Sequence, residues 1–161
     1  METVKYFAYG SNMHSGEMRC WCPSPNATFI SIARLANHRL DFTRRSEKRR
    51  GGVADIVPAA GQTVWGVLYE VSSADLARLD AKEGARRDAM EGAPNAYERK
   101  KVEVIEPMGE QVAAVTYSVV DKEQTQKPHA DYMRLLVEGA TERGLPDEYV
   151  QMLMVVPVAG E

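Results

Sequence analysis

Runs of alternating or mostly apolar positions recur along the chain and predict β-strands. Strands are expected over residues 4–9, 97–105 and 112–120. Two further pairs have a turn residue inside them, with 29–34 and 39–42 flanking Asn37, and 53–58 and 63–71 joined through 59–61. In segment 63–71 apolar side chains occur on both faces, which is typical of a strand that is partly covered on both sides.

A 3.6-residue spacing and capping residues predict helices in three places. The first begins at Ser72 or Ser73, has Asp75 in its first turn and ends before Gly84. A second begins at Pro128 and ends at Gly144. Its apolar face consists of Tyr132, Leu135, Leu136 and Ala140. A short helix or turn is expected over 146–155.

The remaining segments are predicted to be irregular. Residues 13–28 contain Pro23 and Pro25, which argue against a regular element across them. Residues 44–52 are polar and basic and end in two glycines, which predicts a loop, and 85–96 resemble a surface insertion. About six strands and two or three helices that do not alternate with them indicate an α+β fold with a closed or strongly curved sheet.

Length and composition narrow the class of protein. The 161 residues are enough for one domain over residues 1–161 with an ordinary core. The two cysteines, Cys20 and Cys22, are one residue apart, which favours free thiols in a reducing compartment. With no signal-like N-terminus and no apolar run of membrane-spanning length, the expected location is the cytoplasm.

The net charge of −3 argues against a dedicated nucleic-acid binder, but the charge is unevenly distributed. Residues 1–50 contain nine Lys/Arg and four Asp/Glu, whereas the rest of the chain contains eleven and nineteen. Five of the seven residues 44–50 are basic. We interpret this run as a solvated loop, one flank of which could help to attract a carboxylate-bearing substrate.

Two segments could carry chemistry. The first predicted strand ends in Gly10, Ser11 and Asn12, where successive N–H groups can form an anion-binding nest and two side chains can form hydrogen bonds. The second is Glu83, in the last helical turn before Gly84. The negative end of a helix disfavours an ionised carboxylate, so an acid there is a better base than usual. An ordinary turn and a solvated helix end remain the alternatives.

No metal site is expected. His14, His38 and His129 are scattered without ligand spacing, and the closely spaced pair Cys20 and Cys22 lacks the second element that zinc sites use. Walker, dinucleotide-binding and nucleophile-elbow motifs are also missing from the sequence.

Seven ordered blocks resemble the γ-glutamylcyclotransferase family over nearly the whole chain. The N-terminal block is Tyr6-Phe7-Ala8-Tyr9-Gly10-Ser11-Asn12. The other blocks are Ala33-Arg34-Leu35 with Leu40-Asp41-Phe42, Gly51-Gly52-Val53-Ala54-Asp55-Ile56, Val64-Trp65-Gly66-Val67-Leu68-Tyr69, Leu79-Asp80-Ala81-Lys82-Glu83-Gly84, Val115-Thr116-Tyr117 and Gly144-Leu145-Pro146 with Tyr149.

The resemblance implies a small β-barrel flanked by helices, often dimeric, that converts a γ-glutamyl amide into 5-oxoproline and a free amine without a cofactor. It makes Glu83 the catalytic acid and base. It assigns substrate binding to Tyr6, Phe7, Ala8, Tyr9, Gly10, Ser11, Asn12, Tyr97, Tyr117 and Tyr132. The interval from Glu83 to Tyr97 is longer than the family pattern, which suggests a different pocket rim.

Three interpretations of function follow. The first is a cyclotransferase acting on γ-glutamyl amino acids, with γ-glutamyl amines such as γ-glutamyl-ε-lysine, or a γ-glutamyl-protected natural product, as variants. The second is a non-catalytic module that binds a small ligand with the same fold. The third, a nucleic-acid adaptor using residues 44–50, is the weakest, and neither nucleic acid nor a membrane is an expected partner.

Overall fold

The structure is a computed structural model that describes residues 2–23, 25, 27–83 and 96–160, with Glu83 described only as a helix position. Its strands are β1 (Thr3–Ala8), β2 (Thr28–Ser46), β3 (Gly51–Ser72), β4 (Tyr97–Ile105) and β5 (Gln111–Val119). Its helices are α1 (Ser15–Trp21), α2 (Ser73–Glu83), α3 (Ala130–Arg143) and α4 (Asp147–Met154), and a 3₁₀ turn covers Ser11–Met13.

Within these residues the five strands form a closed barrel in the order β1-β3-β2-β4-β5. All pairings are antiparallel except the one that closes the barrel, where β1 runs parallel to β5 with Tyr6 opposite Val115. The Thr116 hydroxyl strengthens this closure by donating to the carbonyl of Phe7 over 2.7 Å. The expected α+β class with a mixed, closed sheet is confirmed.

The count of about six strands is wrong because β2 and β3 are each continuous. Asn37 adopts a left-handed φ of 60° at a register irregularity between Ala36 and His38. Its side-chain oxygen accepts from the N–H of Gly61 over 3.1 Å. The turn residues thus bend a long two-stranded ribbon instead of ending its strands.

The boundaries predicted for the loop over residues 44–52 are also wrong, because the residues at both ends of this segment belong to strands. Arg44 and Arg45 pair with Val53 and Gly52 on β3, and Ser46 pairs with Gly51. Only the four residues between the strands form the turn. The expected strand alternation therefore extends through the basic segment, so that side chains of residues 44 and 46 lie on one face and that of residue 45 on the other.

Helix α1 lies within residues 13–28, for which Pro23 and Pro25 predict irregular structure. Both prolines lie beyond its last residue, Trp21, and so do not interrupt it. His14 caps the helix, since its Nδ1 atom accepts from the N–H groups of Gly16 and Glu17.

The other helices lie close to their predicted positions. At the start of α2 the N–H of Asp75 donates to the Ser72 hydroxyl and the N–H of Ser72 donates to the Asp75 carboxylate, which confirms the predicted cap. Helix α3 begins two residues after Pro128, with His129 as its cap, and ends at Gly144, whose φ is 80°. Most of the predicted insertion, 85–95, and the predicted stop Gly84 lie outside the described residues.

Candidate functional site

One end of the barrel contains a cavity of about 310 Å³ that lies between β1, the β2–β3 ribbon, α2 and α3. Its lining includes Tyr6, Tyr9, Gly10, Ser11, Asn12, Trp21, Arg44, Ser46, Lys48, Arg49, Val53, Ala54, Ala81, Lys82, Ala96, Tyr97, Thr116, Tyr117 and Tyr132. This volume is at the lower end of the range for small-molecule sites.

The segment after β1 contributes a tight turn to the cavity wall. Gly10 leads into the 3₁₀ turn, whose first N–H groups, as at any helix start, have no acceptor within the turn. Asn12 is almost fully buried; its amide donates to the Tyr6 hydroxyl over 3.0 Å, and its oxygen accepts from Lys82. The turn is thereby fixed to both β1 and α2.

Two tyrosines are fixed by the backbone of one small residue. The N–H of Ala54 donates to the Tyr132 hydroxyl over 3.0 Å, and the Ala54 carbonyl accepts from the Tyr97 hydroxyl over 2.8 Å. A Cβ atom on Gly10 would lie 3.4 Å from both the Ala54 Cβ and the Tyr132 hydroxyl. The turn, β3 and α3 therefore meet tightly at this wall.

Hydrogen bonds of the residue after Ala54 fix the position of this part of the wall. Asp55 is fully buried and accepts hydrogen bonds from Thr43 and Lys122, each over 2.7 Å, and from the N–H of Val119 over 2.9 Å. It therefore joins β2, β3 and β5 directly beside the tyrosine contacts.

Tyr6 and Tyr117 form another part of the wall. Their rings contact edge to face with centroids 5.9 Å apart. The Tyr117 hydroxyl donates to Asp80 over 2.5 Å, and Arg99 holds the same carboxylate by a bidentate pair. Because this pairing stabilises its charge, the pKa of Arg99 lies above its usual range.

The last turn of α2 borders the cavity. Ala81 and Lys82 line it, and Asp80 bonds to Tyr117 as described above. Glu83 is the final residue of this helix, and its side chain lies outside the described part of the structure. The backbone position of Glu83 is thus in the helical turn that borders the cavity.

The residues that the resemblance assigns to substrate binding fall into two groups. Tyr6, Tyr9 to Asn12, Tyr97, Tyr117 and Tyr132 line one cavity. Phe7 and Ala8 do not line it and are buried in the barrel core, where Phe7 packs against Tyr9 with ring centroids 6.3 Å apart. Within the assigned segment, these two residues contribute packing.

The basic segment contributes to the cavity wall, and its interpretation as a solvated loop is correct only for its exposed residues, Arg45, Glu47, Lys48 and Arg50. Arg44, Ser46, Lys48 and Arg49 all contribute to the wall. Arg49 donates to Glu17 over 2.5 Å and lies 5.7 Å from the centre of the Tyr132 ring. The run of basic residues over 44–50 was the feature of the sequence that could have indicated this part of the wall.

Two other lining residues, Trp21 and Ala54, have no chemical signal of their role in the sequence, although Ala54 lies in one of the family blocks. Trp21 lies at the end of the unexpected helix α1, and the ammonium groups of Lys48 and Lys82 each lie 5.8 Å from its ring centre. Ala54 acts only through its backbone. Among the described residues, no group of three His, Cys, Asp or Glu side chains could hold a metal ion.

Comparison with known proteins places the chain in a family. The AIG2-like family matches residues 63–153. A mouse γ-glutamylcyclotransferase is 31% identical over 159 residues, covering 96% of this chain and 79% of the mouse protein. The bovine γ-glutamylcyclotransferase is 33% identical over 156 residues, covering 94% of this chain and 78% of the bovine protein.

The chain belongs to the γ-glutamylcyclotransferase family. A solved γ-glutamyl cyclotransferase superposes with a TM-score of 0.89 at 29% identity, covering 99% of this chain and 91% of that structure. The family resemblance predicted from the ordered motifs is thus confirmed, and with it the expectation that the chain is an enzyme of this family. None of the described helices is long and apolar enough to cross a bilayer.

Proposed function

We propose that this γ-glutamylcyclotransferase family member cyclises a γ-glutamyl amide to 5-oxoproline and releases the free amine, with Glu83 as base and then acid. The observation that carries this proposal is the meeting of the last turn of α2 with the Gly10–Asn12 turn at a tyrosine-lined cavity. Those are the elements from which a base and an anion-holding turn would have to reach one bound substrate.

The reaction needs no nucleophile from the protein. The substrate's α-amine attacks its own γ-carbonyl carbon, a new carbon–nitrogen bond closes the five-membered ring, and the amide bond to the leaving amine breaks. Correct orientation of such an intramolecular attack can contribute about 7–11 kcal/mol. A folded substrate conformation is what the tyrosine walls and the 310 Å³ volume favour.

Proton movement is assigned to Glu83. It would carry two protons in turn from the substrate's α-nitrogen to the leaving nitrogen, one to free the attacking amine and one as the ring closes. The amine then leaves as an ammonium, and no proton is gained or lost overall. General acid–base catalysis of this kind contributes about 10²–10⁴-fold to a rate. The carboxylate of Asp80, which accepts from Tyr117, is already paired with Arg99 and is therefore a positioning element.

The substrate's charged and polar groups have candidate partners in the wall. The backbone N–H groups around Gly10 and Ser11 would hold the α-carboxylate or the developing oxyanion. Tyr97, Tyr117 and Tyr132 would exclude water, so that cyclisation outcompetes hydrolysis. No cofactor enters this scheme.

Replacing Glu83 by Gln tests the proposal, because glutamine is nearly isosteric and cannot accept the proton. We expect 5-oxoproline formation from γ-glutamyl-alanine, γ-glutamyl-ε-lysine or glutathione to fall by at least about 10²-fold. Product is measured by chromatography, and circular dichroism checks that the fold is retained.

The matched control is Glu98→Gln, which removes an exposed carboxylate from β4 outside the cavity lining and should leave the rate unchanged. A Glu83→Gln protein that keeps most of its activity would contradict the assigned role. A wild-type protein that binds these ligands but forms no product from any of them would favour the binding module instead.

A homodimer and a cytoplasmic location are also proposed. The first rests on the family resemblance and the second on the free cysteines. Light scattering at several protein concentrations tests the dimer, and fractionation of cells tests the location.

A further inference from the structure

Among the described residues of the cavity wall, the charged side chains are all of one sign. The described lining contains Arg44, Lys48, Arg49 and Lys82 but no aspartate or glutamate side chain. Such a wall creates a positive potential that favours anionic ligands over neutral ones. The four cations differ in the protein groups that contact them.

Two of the four are held by groups of the protein. Arg49 is paired with Glu17, and Lys82 donates to Asn12 and to the Ser11 hydroxyl. Both therefore have structural roles at the turn and at α1. Their positive charges are at least partly balanced or fixed before a ligand binds.

Arg44 and Lys48 differ from these two. Among the described residues neither forms an ion pair with a carboxylate, and Lys48 contacts only the Trp21 ring as a cation–π partner. Arg44 is half-buried on β2, with Ser46 beside it on the same face of the strand. A partly desolvated guanidinium binds a carboxylate more strongly than an exposed lysine does.

Arg44 and Lys48 come from a different element than the groups proposed to hold the γ-glutamyl part. The proposed site for the γ-glutamyl part lies at the Gly10 turn and the end of α2, whereas Arg44 and Lys48 come from the end of the β2–β3 ribbon. A γ-glutamyl substrate bound at the turn would extend its leaving amine towards another part of the wall. An anionic side chain on that amine would then meet Arg44.

We propose that Arg44, assisted by Lys48, is a specificity-determining residue that selects γ-glutamyl conjugates whose leaving amino acid has an acidic side chain. This inference rests on the proposed cyclotransferase function and names its substrate class. It concerns the leaving group, whose identity the proposed catalytic scheme does not specify.

The test compares γ-glutamyl-glutamate with γ-glutamyl-glutamine, which have nearly the same shape and differ by one negative charge. We expect kcat/KM of the wild-type protein to be about three- to tenfold higher for the acidic substrate, as for a partly exposed charge pair. This preference should decrease as ionic strength rises.

Arg44→Gln should abolish the preference, while Arg45→Gln should retain it. Arg45 is the matched control because it is the next residue on the same strand, carries the same charge, is exposed and does not line the cavity. Equal kcat/KM values for the two substrates, or a preference that survives Arg44→Gln, would overturn the inference.

A binding measurement separates this inference from the catalytic proposal. Calorimetry with the Glu83→Gln protein should show tighter binding of γ-glutamyl-glutamate than of γ-glutamyl-glutamine, and adding Arg44→Gln should remove the difference. If the wild-type protein forms no product, the catalytic proposal fails while this binding difference still decides the role of Arg44. Equal affinities would reject the anion subsite even if the enzyme is active.

Discussion

At the scale of single residues, the two cysteines are one residue apart in the sequence but differ in burial. Cys20 is exposed, whereas Cys22 is 2% exposed and its thiol lies 3.7 Å from the carbonyl of Asp75. Burial, and then the negative charge of Asp75, raises the pKa of Cys22 from 9.0 to about 11. Only the thiolate is reactive, so this residue should be inert in the folded protein.

Alkylation at pH 8 therefore should label one cysteine per folded chain. At that pH roughly one in a thousand Cys22 thiols is ionised, and the side chain is also shielded. Peptide mapping by mass spectrometry is expected to find the label on Cys20, and on both residues after unfolding in urea. In a Cys20→Ser variant the folded protein should take up almost no label, and rapid labelling of Cys22 there would contradict its burial.

The same pKa shift has a consequence for stability at high pH. A thiol whose pKa is raised on folding stabilises the protein below the unfolded value and loses that contribution as pH rises through the folded value. For Cys22 the loss falls between about pH 9 and 11.

The aromatic part of the candidate site could be proposed from the sequence, but its cationic part could not be. Tyr6, Tyr97 and Tyr132 were assigned through motifs that resemble a family. Arg44 lies outside those motifs, and its direction depends on β2 continuing to Ser46. The role of Ala54 is carried by its backbone, for which its side chain gives no indication.

At the scale of elements, two glycines let a chain segment pack onto the start of β3. The N–H of Gly52 donates to the carbonyl of Lys127 over 3.0 Å. A Cβ atom on Gly52 would lie 2.1 Å from the carbonyl oxygen of Gln126, which is a backbone atom that cannot rotate away. This segment leads directly into His129, the cap of α3, and so positions Tyr132.

Gly52→Ala should therefore destabilise the fold. We expect a loss of about 1–3 kcal/mol in the free energy of unfolding, because an added methyl group forces the backbone apart. Urea denaturation followed by circular dichroism measures it. Gly160→Ala is the control, since no atom lies within 4 Å of its added methyl group, and equal midpoints for the two variants would show that the close contact is not needed.

The elements show where local sequence signals are sufficient. The Ser72–Asp75 cap and the Gly144 stop act within a few residues, and both were predicted correctly. Asn37 and Gly61 carry equally strong turn signals but lie in a ribbon whose pairing continues past them. Long-range strand pairing therefore overrides the local preference, and the sequence shows no sign of that pairing.

At the scale of the whole molecule, the basic and the acidic parts of the chain both contribute to the cavity. The basic first part contributes cavity residues Arg44, Ser46, Lys48 and Arg49, and α2 comes from the acidic remainder. The barrel closure and the β2–β3 ribbon bring the two parts together. The charge asymmetry is thus consistent with a site assembled from distant segments, as the long-range contacts of Tyr9 with Tyr117 and of Tyr97 with Ala54 also indicate.

The same connections predict that the chain unfolds as one unit. Trp21 on α1 and Trp65 on β3 both pack against one hydrophobic core that also includes residues of α2, α3 and α4. A closed barrel has no free edge from which part of the sheet can separate, so loss of any strand exposes this common core. One domain over residues 1–161 stays a prediction, and the unfolding of single-tryptophan proteins tests it.

Single-tryptophan proteins provide the measurement, with Trp65→Phe leaving Trp21 as the reporter and Trp21→Phe leaving Trp65. In each variant, urea unfolding followed by fluorescence and by far-ultraviolet circular dichroism should give the same midpoint, because the tryptophan environment and the barrel are lost together. The two variants differ in stability, so the comparison is made between probes within one variant. A fluorescence change of Trp21 that precedes the circular dichroism change would show that α1 and its side of the cavity open before the barrel unfolds.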